Sequence, residues 1–308
     1  MDSSTAEAAF DIPAFLRAER RRVEAALGRA LAALLPLAPL PTRDAIRQGV
    51  TTGGKRLRPI LCMAAYEALG GSPRHGIEDL AVSLELIHAY SLMHDDLPCM
   101  DDAPLRRGSP TPHMVHGEPA VVLGGAALIS LAHLHLWRSS GAMGLSHTTR
   151  RELLRILARA AGAEGMVGGQ ALDLWGEGRA LGRAELDELH SRKTGALLTA
   201  SLELGAVAGL PELDHPAREA FASYGRAIGL AFQIADDVLD ATADTEALGK
   251  APSDAALEKS TYVALLGVDG ARLVAGRLVG EARAALADAG IESPALEALA
   301  DYVVTRDR

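Results

Sequence analysis

Cysteine is almost missing from this chain of 308 residues: Cys62 and Cys99 are the only two. Two thiols build no disulfide framework, and their scarcity fits a reducing compartment, so a cytoplasmic location is expected. Aromatic residues make up only 4% of the chain against 48% apolar residues in all, so the core must come from Ala, Leu and Val. Runs of β-branched residues are scarce, and Ala and Leu are the strongest helix formers, so an all-α fold is expected. Positive charge is also short. Lys and Arg number 31 against 40 Asp and Glu, a net charge of −9. That balance argues against a nucleic-acid surface and a basic membrane anchor, although a local basic cluster can still hold an anionic substrate. No positively charged start followed by an apolar run is present, so no secretory leader is expected.

Long apolar runs are few. Residues 120–137 carry no formal charge when His133 and His135 are neutral, yet they contain Gly124, Gly125 and Ser130. No flanking charge pattern supports insertion, so this stretch reads as a buried central helix of a soluble protein rather than a membrane span. Helical spacing is expected over residues 12–35, 77–96, 119–139, 147–174, 183–209 and 217–240, with breaks at Pro36–Pro39 and Gly70–Pro73. None of the breaks is polar or long enough to be a linker. Residues 1–308 are therefore expected to form one domain, with the first 12 frayed.

What is abundant is acid at two helix ends. Residues 85–107 read ELIHAYSLMHDDLPCMDDAPLRR, an apolar helical run leading into Asp95-Asp96, then Pro98, Asp101-Asp102 and Arg106-Arg107. Clustered carboxylates repel one another unless cations sit among them. Hard oxygen ligands suit Mg²⁺, which shares its sites with phosphate oxygens, and arginine forks suit the phosphate. The stretch points to a metal–diphosphate site. A weaker echo follows at 224–240, YGRAIGLAFQIADDVLD, where Asp236 and Asp240 lie one turn apart on one face with Gln233 a turn earlier. Read alone, it is as well explained by a solvated acidic helix end. Two such helices facing each other would put acid on both sides of one cavity.

Three smaller features stand beside these. Gly53-Gly54-Lys55-Arg56-Leu57-Arg58 is expected to place Lys55 and Arg58 on one helix face behind two glycines, an anion pocket without the spacing of a nucleotide loop. His88, two turns before Asp95, reads by itself as a hydrogen-bonded core residue. Lys193-Thr194-Gly195 interrupts a long helical pattern, and Lys250 and Lys259 flank a loop placed to close as a lid.

Taken in order, GGKRLRP, HAYSLMHDDLPCMDDAPLRRG, GGQALDL, HSRKTGAL, GLAFQIADDVLD and LGK…EKSTY resemble the trans-isoprenyl diphosphate synthases, most closely the bacterial farnesyl diphosphate synthases. The resemblance runs from about residue 45 to the C-terminus. It implies a helical bundle around a deep central cavity, a homodimer, and isoprenoid diphosphates as substrates. It implies Mg²⁺, three ions per site with Mn²⁺ as the alternative, gathered by Asp95, Asp101 and Asp236 with Asp96, Asp237 and Asp240 in support. By the same resemblance Arg106, Lys193, Lys250 and Lys259 grip the allylic diphosphate. Gly54, Lys55, Arg58, His88 and Arg107 hold isopentenyl diphosphate, and Thr194 and Gln233 face the reacting carbons. Where relatives extend the first acidic cluster, this chain has Ala103-Pro104, and Pro252-Ser253 stand where relatives often carry glycine.

Tyr90 stands five residues before Asp95, about 7.5 Å along a helix axis. With Ser91 beside it, its ring is expected to floor the cavity after three isoprene units, as in farnesyl-forming relatives. The rivals are a geranyl or geranylgeranyl diphosphate synthase, a terpene cyclase, a metal phosphohydrolase using the His94-Asp95 doublet, and a helical scaffold without catalysis. Lys55, Arg58 and His88 speak against the cyclase, and the oxygen-rich surroundings of His94 speak against the phosphohydrolase.

Overall fold

A computed structural model describes residues 10–72, 76–210, 215–242 and 260–306. The described residues are largely helical. The chain runs α1 (Ile12–Leu34), α2 (Thr42–Thr51), α3 (Leu57–Ala68), α4 (Ile77–Asp95), α5 (Pro112–His116), α6 (Glu118–Ala142), α7 (His147–Ala161), α8 (Met166–Gly176), α9 (Arg183–His190), α10 (Ala196–Gly209), α11 (Ala217–Thr242), α12 (Tyr262–Asp288) and α13 (Pro294–Thr305). A π-helical turn, Ser191–Gly195, joins α9 to α10 where Lys193-Thr194-Gly195 breaks the helical pattern. Local chemistry marks several starts. Asp11 and Ser146 accept the amides of Ala14 and Thr149, and Thr261 and Ser293 cap α12 and α13 in the same way.

α4 and α10 form the middle of the bundle. α10 is apolar on nearly every face and packs on α3, α4, α7 and α11, as a helix without a polar side must. α4 packs on α1, α2, α3 and α6. One continuous apolar cluster, largely Ala, Leu and Val, reaches from Val23 to Val303. The hydroxyl of the fully buried Tyr224 ties α11 to α13 by donating to the Leu296 carbonyl at 2.7 Å.

The structure departs from the sequence expectations in four places. α6 is long and apolar enough to cross a membrane, but one face packs on α4 while Val122 and Leu123 on another are 45% and 61% exposed. It is a flanking helix rather than a central one. The run 147–174 is two helices, α7 and α8, because the chain turns at Gly162–Gly165, where a Cβ on Gly165 would lie 2.2 Å from the Ala160 carbonyl. Lys55 and Arg56 belong to a loop rather than to α3: Arg56 has φ 54°, so Lys55 and Arg58 do not share a helix face. A two-residue hairpin, β1 (Leu105–Arg106) with β2 (Ser109–Pro110), follows the first acidic cluster.

Candidate active site

α4 delivers the first acidic pair because it ends there. Asp95 is its last residue and Asp96 its cap. The chain then folds back, with the Asp101 amide donating to the Asp95 carbonyl at 2.9 Å and the Ala103 amide to the Asp96 carbonyl at 3.2 Å. The turn over Leu97–Met100 therefore returns Asp101 above Asp95. The two neighbouring aspartates do different things. Asp96, 1% exposed, accepts Arg106 through both oxygens at 2.7–2.9 Å. Asp95 and Asp101 make no side-chain hydrogen bond among the described residues. Burial, reinforced by Asp101 and opposed by Lys193, pushes the Asp95 carboxyl up to about 6.

The hairpin aims the arginines. Arg107 and Gly108 form its two-residue turn with φ of 54° and 77°, a type I′ geometry that costs a non-glycine residue energy. In return the Arg107 guanidinium reaches the Gly53 carbonyl. Gly54, at φ 145°, allows the approach, since a Cβ there would lie 2.8 Å from Arg107 Nη1. Arg56 is buried against Glu85 (2.6 Å), Glu24 (2.9 Å) and the Val50 carbonyl (3.1 Å), and is thereby a supporting cation. Arg58 remains: its Nε is buried without a partner, and burial lowers its pKa against the pull of Glu85 and Asp236. Burial, then Arg58, Arg107, Arg56 and Arg106, holds His88 well below the usual histidine range, so it stays neutral. Lys55, exposed, lies over the Tyr302 ring and in the field of Asp236. The group is a ready anion pocket.

α11 supplies the second acidic set. Asp236 pairs with Arg306, whose guanidinium also lies 4.0 Å from the Phe232 ring centroid. Asp237 accepts the Tyr262 amide at 2.9 Å and the Gln233 amide at 3.4 Å. Burial, with Asp236 and Asp240, raises Asp237 to about 7 against the Gln233 hydrogen bond. Asp240 is exposed. The π turn bridges the two sets. Thr194 Oγ1 donates to Gln233 Oε1 at 3.0 Å, and Lys193, paired with Asp173, lies in the field of Asp95. Gly169 and Gly229 make room for that turn: a Cβ on either would meet Lys193 N at 2.1 Å or Gly195 Cα at 2.7 Å.

Tyr90 is buried edge-on to His94, and Ser91 spends its hydroxyl on the His88 carbonyl at 2.9 Å. Lys250 and Lys259 lie outside the described residues. Sequence reasoning passed over Glu85, Arg56, Asp173, Tyr262 and Arg306. Glu85 and Asp173 were readable as lone acids in apolar runs; Arg306, 70 residues from Asp236, gave no local signal.

The donor set fits a hard divalent cation. Among the described residues no three His, Cys, Asp or Glu side chains converge to hold an ion alone. The protein's share is then one or two carboxylates per ion, with substrate oxygens and water completing the shell, which is how Mg²⁺ is usually held. His94 turns instead to the Val122 carbonyl at 3.2 Å, so the phosphohydrolase reading loses its nitrogen ligand.

Known proteins resemble this chain over nearly its whole length. The chain is 42% identical to farnesyl diphosphate synthase of Escherichia coli (strain K12), over 97% of its own length and all of that protein. It is 40% identical to a chloroplastic geranylgeranyl pyrophosphate synthase of Catharanthus roseus, over 98% of this chain and 84% of that one. An FPP/GFPP synthase structure from Zymomonas mobilis superposes with a TM-score of 0.81 at 37% identity, covering 94% and 99% of the two chains. With the polyprenyl synthetase family model matched across residues 41–285 as well, the chain belongs to the polyprenyl synthetase family.

Proposed function

We propose that the protein is a farnesyl diphosphate synthase, adding isopentenyl diphosphate head-to-tail to dimethylallyl and then geranyl diphosphate, and that residues 1–308 act as one domain around one cavity. The observation that carries this reading is the bridge Lys193–Thr194–Gln233, which links the acidic end of α4 to that of α11 beside the Arg58–His88–Arg107 anion pocket. A cyclase or hydrolase needs no second anion pocket; two acidic sets around one diphosphate with the separate Arg58–His88–Arg107 pocket beside them suit two diphosphates.

In this reading Arg106 and Lys193 grip the allylic diphosphate, pre-aimed by Asp96 and Asp173. Lys55, Arg58, Arg107 and neutral His88, at the loop of Gly54, hold the second diphosphate. The allylic C–O bond breaks heterolytically, and the double bond of isopentenyl diphosphate supplies the electron pair for the new C–C bond. The departing diphosphate takes the proton whose loss restores a double bond, so no side-chain base is required. Thr194 and Gln233 offer neutral oxygens that stabilise the cation without trapping it. Asp95, Asp101, Asp236 and Asp240, with Asp96 and Asp237 behind them, would hold Mg²⁺, or Mn²⁺ in its place, which neutralises charge on the leaving diphosphate when bound.

Identity does not choose the product, since 42% to a farnesyl and 40% to a geranylgeranyl enzyme are near equal. The buried Tyr90 ring supports the shorter one. A homodimer is proposed on the open apolar face of α6, and a cytoplasmic location is in keeping with two free cysteines. Incubation with Mg²⁺, dimethylallyl diphosphate and labelled isopentenyl diphosphate, followed by dephosphorylation and chromatography, should release farnesol. Geranylgeraniol would overturn the product, and absence of any condensation would overturn the class.

A further inference from the structure

Tyr90 does not hold its own position. One turn further along α4, His94 meets it edge-to-face, with ring centroids 5.0 Å apart and planes at 80°. His94 is in turn seated on α6. Its Nε2 lies 3.2 Å from the Val122 carbonyl oxygen, which only accepts, so Nε2 carries the proton. The ring occupies the space where Gly125 lacks a side chain: a Cβ on Gly125 would lie 2.2 Å from Nε2 and 2.5 Å from Cδ2. The adjacent Met93 is keyed in similarly, with its Sδ 2.3 Å from where a Cβ on Gly49 would be. Met93 locks α4 against α2, and His94 locks it against α6.

We propose that His94 and Gly125 are specificity-determining residues: the imidazole, seated in the notch at Gly125, fixes the depth of the Tyr90 ring and so the number of isoprene units the cavity admits. This rests on the reading of Tyr90 as the cavity floor in a prenyl transfer. An edge-to-face contact has a preferred separation and angle, so a shift of the imidazole moves the phenol with it. Without the imidazole, Tyr90 gains rotamer freedom and the floor becomes passable. With a methyl on Gly125, the ring must move off the Val122 carbonyl and Tyr90 loses its stop.

The test is the geranylgeranyl-to-farnesyl product ratio of the purified full-length chain with Mg²⁺, dimethylallyl diphosphate and labelled isopentenyl diphosphate. A ratio is readable at reduced turnover, and a merely structural role for His94 would lower turnover without changing it. His94→Ala and Gly125→Ala are each expected to raise the ratio about tenfold, a relative barrier change of about 1.4 kcal/mol. His94→Gln, which keeps a donor for the Val122 carbonyl, should stay closer to the native ratio. The double variant Gly125→Ala with His94→Ala should match His94→Ala alone, because the new methyl enters vacated space and the two effects do not add. Tyr90→Ala separates the two readings. If it lengthens the product while His94→Ala and Gly125→Ala do not, the inference fails and the cavity floor stands. If Tyr90→Ala leaves the product unchanged, the floor itself is misplaced and the inference falls with it. Should either variant fail to fold or turn over, the other decides the matter.

Discussion

At the scale of single residues, the instructive pair is Asp95 and Asp96, adjacent in sequence and different in task. Asp96 is committed to Arg106, while Asp95 is left with a desolvated carboxyl and no hydrogen-bond partner among the described residues. Asp95→Ala should therefore leave thermal stability near native and lower kcat by about 10²–10³, the cost of one preorganised electrostatic group. Asp96→Ala should instead lower stability by roughly 2 kcal/mol, less than the loss of a fully buried pair because Arg106 keeps contact with water. Thermal melts beside initial rates check both, and equal melts for the two variants would contradict the division. Much of this was legible: acids closing apolar helical runs stand out in sequence. What pairs with them did not, because Arg106 is one of two adjacent arginines and Arg306 reaches Asp236 from the far end of the chain. Ion pairs of that reach are made by packing, and no spacing rule encodes them.

At the scale of elements, the π turn between α9 and α10 is the irregular piece of backbone that bears most directly on the site. Such turns recur at functional sites, and this one puts Lys193 toward Asp173 and Thr194 toward Gln233. It is squeezed from both sides by glycines, Gly169 on α8 and Gly229 on α11. Gly229→Ala would bring a methyl within 2.7 Å of Gly195 Cα, backbone that cannot swing away. Overpacking of this kind costs about 1–3 kcal/mol, and a displacement near 1 Å at Thr194 should lower kcat by up to about 10²-fold. Denaturant melts and steady-state rates would test this, and a variant with native kcat would show that the turn tolerates the shift. The sequence announced an interruption at Lys193-Thr194-Gly195 without its form. The end of α7 carried a mark in Gly162 and Gly165, but the apolar helical spacing resumes directly beyond them, so periodicity alone runs the two helices together. The sequence concealed the loop at Lys55, since a left-handed Arg56 has no compositional mark.

At the scale of the whole molecule, α6 and the charge on the site set two expectations. If the proposed homodimer forms on the exposed Val122 and Leu123 of α6, Leu123→Glu should leave a monomer by light scattering where the native chain gives a dimer. The second expectation concerns protons. Asp95 is raised to about 6 and Asp237 to about 7, burial leading in both. A carboxyl raised in the folded state keeps a proton that the unfolded chain has released. From about pH 4 up to those values it therefore takes stability away as pH rises. Cation binding requires the ionised form and so expels these protons. The gain in melting temperature from Mg²⁺ with inorganic diphosphate should then be small at about pH 5 and reach its plateau by about pH 8, where saturation at 100 Kd gives about 2.7 kcal/mol. Ionisation of the diphosphate itself contributes equally to native protein and to Asp95→Asn, so the difference between them isolates the carboxyl. That difference should open as pH passes about 6. If the two proteins respond in parallel across the whole range, Asp95 is not among the groups whose charge the bound cations neutralise.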